Sequence, residues 1–321
     1  MNFADNIDYP PLLRRPPMLA ALVFALFVAF MIAQPAQIGL GKSLTGSLGL
    51  TGFAANALLA SFAAVLIGAD IYLVLGLPLR SQVVVVWVQL VLILALFFVS
   101  FDLSYTFIRR KLWLLLSQGL LTTLAISAAS IFFASVLALA GAVAKLSASG
   151  LALGVANFYT SFFRGVPLLM QIYIIYLGLP QLGIVVDAIP SGIIALSLCY
   201  GAYMTEIFRA GIESVPRGQW EAARALGLRP GQTLARVILP QALPVIIPPT
   251  GNQFIAMLKD SSLVSVIGVW ELMYLARTEG QTEFRHIEMM VTASMIYWAF
   301  SGALELIQAH IERLFGKPHA R

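Results

Sequence analysis

The run LWLLLSQGLLTTLAISAASIFFASVLALAGAVA, residues 112–144, carries no charged side chain from Leu112 to Ala144. An α-helix rises about 1.5 Å per residue and a bilayer core is about 30 Å thick, so about 20 apolar residues suffice to cross it. This run is longer, which leaves room to tilt or to extend beyond the lipid. Backbone groups in lipid must be bonded internally, which leaves helices or closed barrels. A run this long and continuous is not a barrel strand, so it reads as helix.

Working outward, three similar runs come before it: Pro17–Ala33, Phe53–Leu77 and Val83–Phe101. Four follow it: Asn157–Leu179, Ile189–Glu206, Ala242–Leu258 and Ile287–Ile307. The run from Asn157 is interrupted by Arg164-Gly165-Val166-Pro167, which makes its start ambiguous. The expected fold is an all-α integral membrane protein with about eight transmembrane helices. Composition agrees, with 60% hydrophobic and 11% charged residues against about 25% charged in soluble domains. The net charge of +5 fits basic residues gathered in cytoplasmic loops better than nucleic-acid binding, which is not expected.

Basic loops set the orientation. Arg14 and Arg15, Arg80, Lys145, the group Arg217, Arg224, Arg229 and Arg236, and the terminal Arg313, Lys317 and Arg321 all fall on one side of eight crossings. That side is the cytoplasm, which also holds both termini. Arg109, Arg110 and Lys111 disagree: with eight crossings they would face outward against the rule, unless an early helix is miscounted. Met18–Ala33 has some marks of a signal peptide, with Ala33-Gln-Pro-Ala36 as a weak cleavage site, but the runs that follow favour a retained first helix.

The first hundred residues lack the Gly/Pro punctuation and polar clusters of the remainder, apart from the loop Gly39–Gly52. The expected division is therefore an N-terminal membrane extension over 1–111 and a main domain over 112–321. Cys199 is the one cysteine, and His286, His310 and His319 lack ligand spacing, so no metal site is expected. No acid/base pair and no nucleophile beside a histidine suggests catalysis. The stretch Ala36-Gln-Ile-Gly-Leu-Gly-Lys-Ser43 imitates a phosphate-binding loop. It follows a membrane helix instead of a strand and precedes a loop instead of a helix, so this chain is expected to bind no nucleotide.

Between the sixth and seventh runs lies SVPRGQWEAARALG, residues 214–227, followed by LRPGQTLARVILP, residues 228–240. Pro216 suits a first helical turn and Gly227 a left-handed C-terminal cap. Pro230 can open a second short helix, which Pro240 would limit. Two short helices give a compact cytoplasmic knob. Ala222 and Ala223 keep its surface thin, Glu221 and Arg224 charge its rim, and Trp220 offers an aromatic anchor.

The pattern Glu221-Ala222-Ala223, Gly227, Val237, Leu239-Pro240 resembles the coupling motif of permease subunits of ATP-binding-cassette (ABC) importers. Val237 stands where isoleucine is usual, a small change in volume. GVPLLMQ (165–171), GAYMTE (201–206) and GNQFIAMLKDSSLVS (251–265) look like the polar amino-acid branch of that family. The resemblance covers roughly Leu115–Leu314 and implies a five-helix type I importer core preceded by about three extra helices. It implies that the loop over 213–240 docks a separate ATPase dimer, which binds ATP and magnesium. It further implies a second permease subunit, the same or related, an extracytoplasmic solute-binding protein, and residence in a bacterial cytoplasmic membrane.

Ionisable groups at membrane depth face a cavity or a partner. Asp70 stands alone in the second run. Glu206 and Arg209, three apart on one helical face, are expected to pair structurally. Asn252 and Gln253 are candidates to line the substrate path, and Lys259 and Asp260 to act structurally. A secondary transporter driven by an ion gradient is the competing reading. It predicts inverted repeats and midplane carboxylates, and the sequence shows no convincing repeat.

Overall fold

The computed structural model describes residues 16–33, 52–99, 101 and 103–315, and every regular element among them is helical. The chain divides into two compact units, Met1–Asp102 and Leu103–Arg321. The division falls ahead of the 111/112 boundary expected from sequence. The charges of Arg109–Lys111 interrupt the hydropathy, but the helix runs straight through them, and Phe107 is buried with Leu115, Leu272 and Met289 of the second unit. Arg14, Arg15, the phosphate-loop imitation and residues 316–321 lie outside the described residues.

The N-terminal unit holds α1 (Pro16–Ala33), α2 (Gly52–Val74) and α3 (Leu79–Val99). Along α2, Ala55, Asn56, Ala60 and Ala64 are buried, a stripe at helical spacing. Asp70 on α2 accepts a hydrogen bond from Gln89 Nε2 on α3 at 2.7 Å. The lone acid of the second run therefore has a polar partner on a neighbouring helix.

The C-terminal unit opens with α4 (Tyr105–Lys145), 41 residues long, widened into a π turn at Leu115–Leu120. Next come α5 (Gly150–Gly165) and α6 (Leu168–Tyr173, continued to Leu182), which meet at a bend of 105°. Pro167 cannot continue α5 as a helix. The carbonyls freed there are taken by Gln171, whose Nε2 donates to Phe163 O at 2.9 Å and Val166 O at 2.8 Å. The segment α7 (Ala188–Glu213) leads to the short α8 (Arg217–Ala225). Then α9 (Pro230–Thr233) passes through a π turn, Leu234–Ile238, directly into α10 (Leu239–Asp260). Last are α11 (Leu272–Thr282) and α12 (His286–Phe315).

Among the described residues, six helices are long and apolar enough to span a bilayer, or seven if the bent pair counts as one span. The expected segment 242–258 lies in α10, which is helical but carries Pro244, Pro248 and Pro249 and ends on Lys259 and Asp260. These residues make it a core helix of mixed polarity instead of a uniformly apolar one. The element α11 falls in a stretch that hydropathy leaves unassigned, because Arg277, Glu279 and Gln281 punctuate it. It is capped by Glu271, whose carboxylate accepts from the N–H groups of Met273 at 2.9 Å and Tyr274 at 2.6 Å and from the Tyr297 hydroxyl at 2.9 Å. Burial pushes this carboxyl up to about 6, against the opposing pull of those bonds.

The centre of the C-terminal unit is the seam between α4 and α7. Thr123, Ile126, Ser127, Ser130, Ala134, Ala138 and Ala142 form one buried stripe on α4. Opposite them α7 presents Ser197 to Ser130, Gly201 to Ala134 and Leu137, and Thr205 to Gly141. Lipid gives helices little reason to associate by burial alone, so small side chains and close backbones supply the packing. A Cβ added at Gly201 would stand 3.0 Å from Leu137 Cβ and 3.3 Å from Ala134 O, and against the Tyr159 hydroxyl at 2.6 Å. Thr205 bonds its hydroxyl to Gly201 O at 2.8 Å, which spares an unpaired donor at depth. Gly201→Val should therefore overpack this seam and cost about 1–3 kcal/mol. Thermal unfolding in detergent, with Gly150→Ala as the open-space control, checks this by a lowered midpoint for the valine variant alone.

Candidate functional site

The knob over 214–240 is built as two helix ends joined by a tight cap. Pro216 occupies the capping position just ahead of α8. At the other end Gly227 takes φ 75°. Leu228 N–H bonds Ala223 O at 3.1 Å and Gly227 N–H bonds Arg224 O at 2.9 Å, the paired bonds of a Schellman cap. Only glycine adopts that φ without strain, so the sequence reads correctly here. Pro240 behaves differently from expectation. It does not limit a second short helix; it sits in the first turn of α10, directly after the π turn. That turn shifts the bonding to Leu239 N–H with Leu234 O, a register change that absorbs the proline's missing donor.

The two alanines divide their roles. Ala222 is exposed, whereas Ala223 is buried under the helix at 2%. Glu221 and Arg224 stand in solvent. Trp220 is half-buried and packs, with Val237 and Leu239, onto the cluster of Ala142, Ile212, Val215, Ile238, Ala242 and Ile246. It braces the knob onto α7 and α10 and leaves little indole for a partner. The apolar side chain that does project is Leu226, 81% exposed. Its position directly before the capping glycine is the sequence signal that marks it. Trp220, Glu221 and Arg224 also line a groove of about 860 Å³ that reaches Leu146, Ile212 and Thr233.

Above the knob lies a charged cluster. Glu206 on α7 meets Lys145 of α4 at 2.5 Å, Arg209 of α7 at 3.0 Å and Arg164 of α5 at 3.8 Å, and Arg209 also reaches Glu213 at 2.6 Å. The expected contact of Glu206 with Arg209 is present, but the carboxylate ties three helices together, which one-face spacing could not reveal.

Arg164 then reaches into a second environment. Its guanidinium lies 5.3 Å from the ring centre of Tyr203, a cation–π contact. Both residues line a polar cleft of about 380 Å³ together with Cys199, Tyr200, Gln253 and Asp260. Asp260 accepts from the Tyr200 hydroxyl at 2.7 Å. An adjoining cavity of about 490 Å³ shares Arg164, Gly165 and Tyr203 and adds Lys145, Asn157, Thr160, Ser161 and Glu206. The two polar spaces meet at the Arg164–Tyr203 pair.

The structure separates residues that the sequence groups. Gln253 lines the cleft. Asn252 does not: its Oδ1 accepts from Gln308 Nε2 of α12 at 3.1 Å, because neighbouring helical positions face different directions. Asp260 points into the cleft, while Lys259 is exposed and forms no ion pair among the described residues. The sequence reading took Arg164 only as the residue beside a helix break; its place at the junction of two cavities depends on the bend.

Comparisons with known proteins agree with this arrangement. The family described as "Binding-protein-dependent transport system inner membrane component" matches residues 130–317. The L-cystine transport system permease protein TcyB of Bacillus subtilis (strain 168) is 41% identical over 66% of this chain and 91% of its own length. The arginine transport system permease protein ArtQ of the same organism is 38% identical over 61% of this chain and 90% of its own. A solved structure titled as an amino acid ABC transporter with histidines superposes with a TM-score of 0.60 at 33% identity, over 66% of this chain and 99% of that one. The chain belongs to the family of binding-protein-dependent transport system inner membrane components, as a multi-pass permease subunit of the ABC class.

Proposed function

We propose that this subunit forms, with a second permease subunit of the same or a related kind, the translocation path for a polar amino acid. An extracytoplasmic binding protein delivers the solute. A separate ATPase dimer, which binds ATP and magnesium, docks on the 214–240 knob. The membrane is the bacterial cytoplasmic membrane, with the knob and both termini inside. The observation that carries this reading is the knob itself, where Glu221, Ala222, Arg224 and Leu226 are exposed on a helix whose other face is fixed to α7 and α10. A partner that grips it pulls on both helices at once. Those helices supply Tyr200, Tyr203, Gln253 and Asp260 to the cleft, so movement of the knob is felt where a solute would sit.

The relatives that carry cystine and arginine in their names support an amino-acid cargo, and they favour an ATP-driven importer over an ion-driven transporter. Gln253 is suited to hydrogen-bond a zwitterionic solute through an amide that both donates and accepts. Arg164 stands beside it as a cation able to take a carboxylate.

Glu221→Lys and Leu226→Asp should each weaken co-purification of the ATPase, by about 2 kcal/mol or roughly 30-fold for a projecting anchor. Solute-driven ATP hydrolysis in proteoliposomes should fall with it; retention of both at wild-type levels overturns the docking assignment. The two alanines should separate. Ala222→Trp should block docking at unchanged thermal stability, while Ala223→Trp should lower the unfolding midpoint by overpacking beneath the helix. For the cargo, Gln253→Ala should alter uptake rate or selectivity among amino acids while ATPase binding stays intact. Wild-type kinetics with every amino acid tested would remove Gln253 from the path.

A further inference from the structure

Arg109, Arg110 and Lys111 lie at the start of α4, which runs parallel to α7 and so begins at the end of the unit opposite the 214–240 knob, and the structure pairs two of the three. Arg110 is held by both carboxylate oxygens of Glu283, at 2.6 Å to Oε1. Lys111 meets Glu279 at 2.5 Å. Arg109 is exposed and has no ion pair among the described residues. It is flanked one turn to either side by Tyr105, 61% exposed, and Trp113, 76% exposed. Positions 105, 109 and 113 share one face of α4.

The depth of this face can be fixed. Ser104 N–H donates to Glu288 Oε1 at 3.4 Å, which levels the start of α4 with the start of α12. The 30 residues of α12 span about 45 Å, close to the about 40–45 Å of a bilayer with its headgroups. With α12 taken as the span, Tyr105 is level with the membrane surface and Trp113 stands about 12 Å further along α4. Arg109 lies between them, one turn from each ring, where a guanidinium is suited to an anionic group.

We propose that Tyr105, Arg109 and Trp113 form a headgroup site for an anionic phospholipid in the leaflet opposite the 214–240 knob. The guanidinium turns toward the surface and takes the phosphodiester through two N–H groups. The two rings, each apolar with one polar atom, bracket the glycerol region as interfacial aromatics do. The commitment to an anionic lipid rests on charge: the two neighbouring cations are neutralised within the protein, and this one has no ion pair among the described residues.

The test uses native mass spectrometry of the detergent-purified transporter complex, titrated with phosphatidylglycerol and with phosphatidylcholine. Wild type should retain phosphatidylglycerol preferentially. Arg109→Gln should reduce that retention about 5–10-fold, the loss of one charge-assisted contact, and Arg109→Lys should keep part of it. Equal retention by Arg109→Gln, or no preference in wild type, overturns the proposal. Displacement of the lipid by millimolar inorganic phosphate would make this a free-phosphate site and overturn the lipid assignment. Quenching by brominated phosphatidylglycerol, read as the difference between wild type and Trp113→Phe, tests the site without touching Arg109. Quenching no stronger than with brominated phosphatidylcholine counts against it.

Discussion

The close contact of α4 with α7 is the constraint from which the rest of the C-terminal unit follows. Ala134, Ala138 and Ala142 on one helix and Gly201, Ala202 and Thr205 on the other bring two backbones nearer than larger side chains allow. In lipid such packing substitutes for the hydrophobic force that water would provide. With α7 held this way, its polar residues are fixed in direction. Tyr200 and Tyr203 face the cleft, Glu206 faces Lys145, and the end of the helix carries the knob. Small residues on the seam thus set the geometry of charged residues a turn or two away.

Helical irregularities do the remaining placement. The bend at Val166–Pro167 swings Arg164 away from a continuous span and sets it between Glu206 and Tyr203. Gln171 makes the break stable by occupying carbonyls that would otherwise be unpaired in an apolar setting. The π turn at Leu234–Ile238 performs a similar service for Pro240, and it joins α9 to α10 as one lever. Each interruption costs regular hydrogen bonds, and each lies next to a feature assigned to coupling or to the solute path. That coincidence is what is expected where local rules are broken for function.

Charge is arranged with equal economy. Many described ionisable groups of the C-terminal unit are engaged with one another: Glu206 with Lys145, Arg209 and Arg164; Arg110 and Lys111 with Glu283 and Glu279; Arg285 with Glu288 at 2.9 Å. Glu271, fully buried, is satisfied by two backbone N–H groups and a tyrosine hydroxyl. Against that background Glu221 on the knob and Arg109 at the opposite end of the unit are two exposed charged groups with no ion pair among the described residues, and each stands where a contact outside the chain is proposed.

The sequence by itself determined the class of the protein, because length and uninterrupted apolarity in runs such as 112–144 have one physical solution in lipid. It also determined the first helix of the knob, since Pro216 and the capping Gly227 are local features whose consequences are local, but not that the chain runs on as helix through Pro240 into α10. It did not separate Ala222 from Ala223 or Asn252 from Gln253, where adjacent residues differ only in the direction they face. Nor did it show that Phe107 belongs to the second unit, that α11 exists, or that Arg164 joins two polar cavities. Those depended on which helix lay opposite. Facing is set by the tertiary seam of α4 and α7 and by the bend after α5, where side chains distant in sequence decide what each position meets.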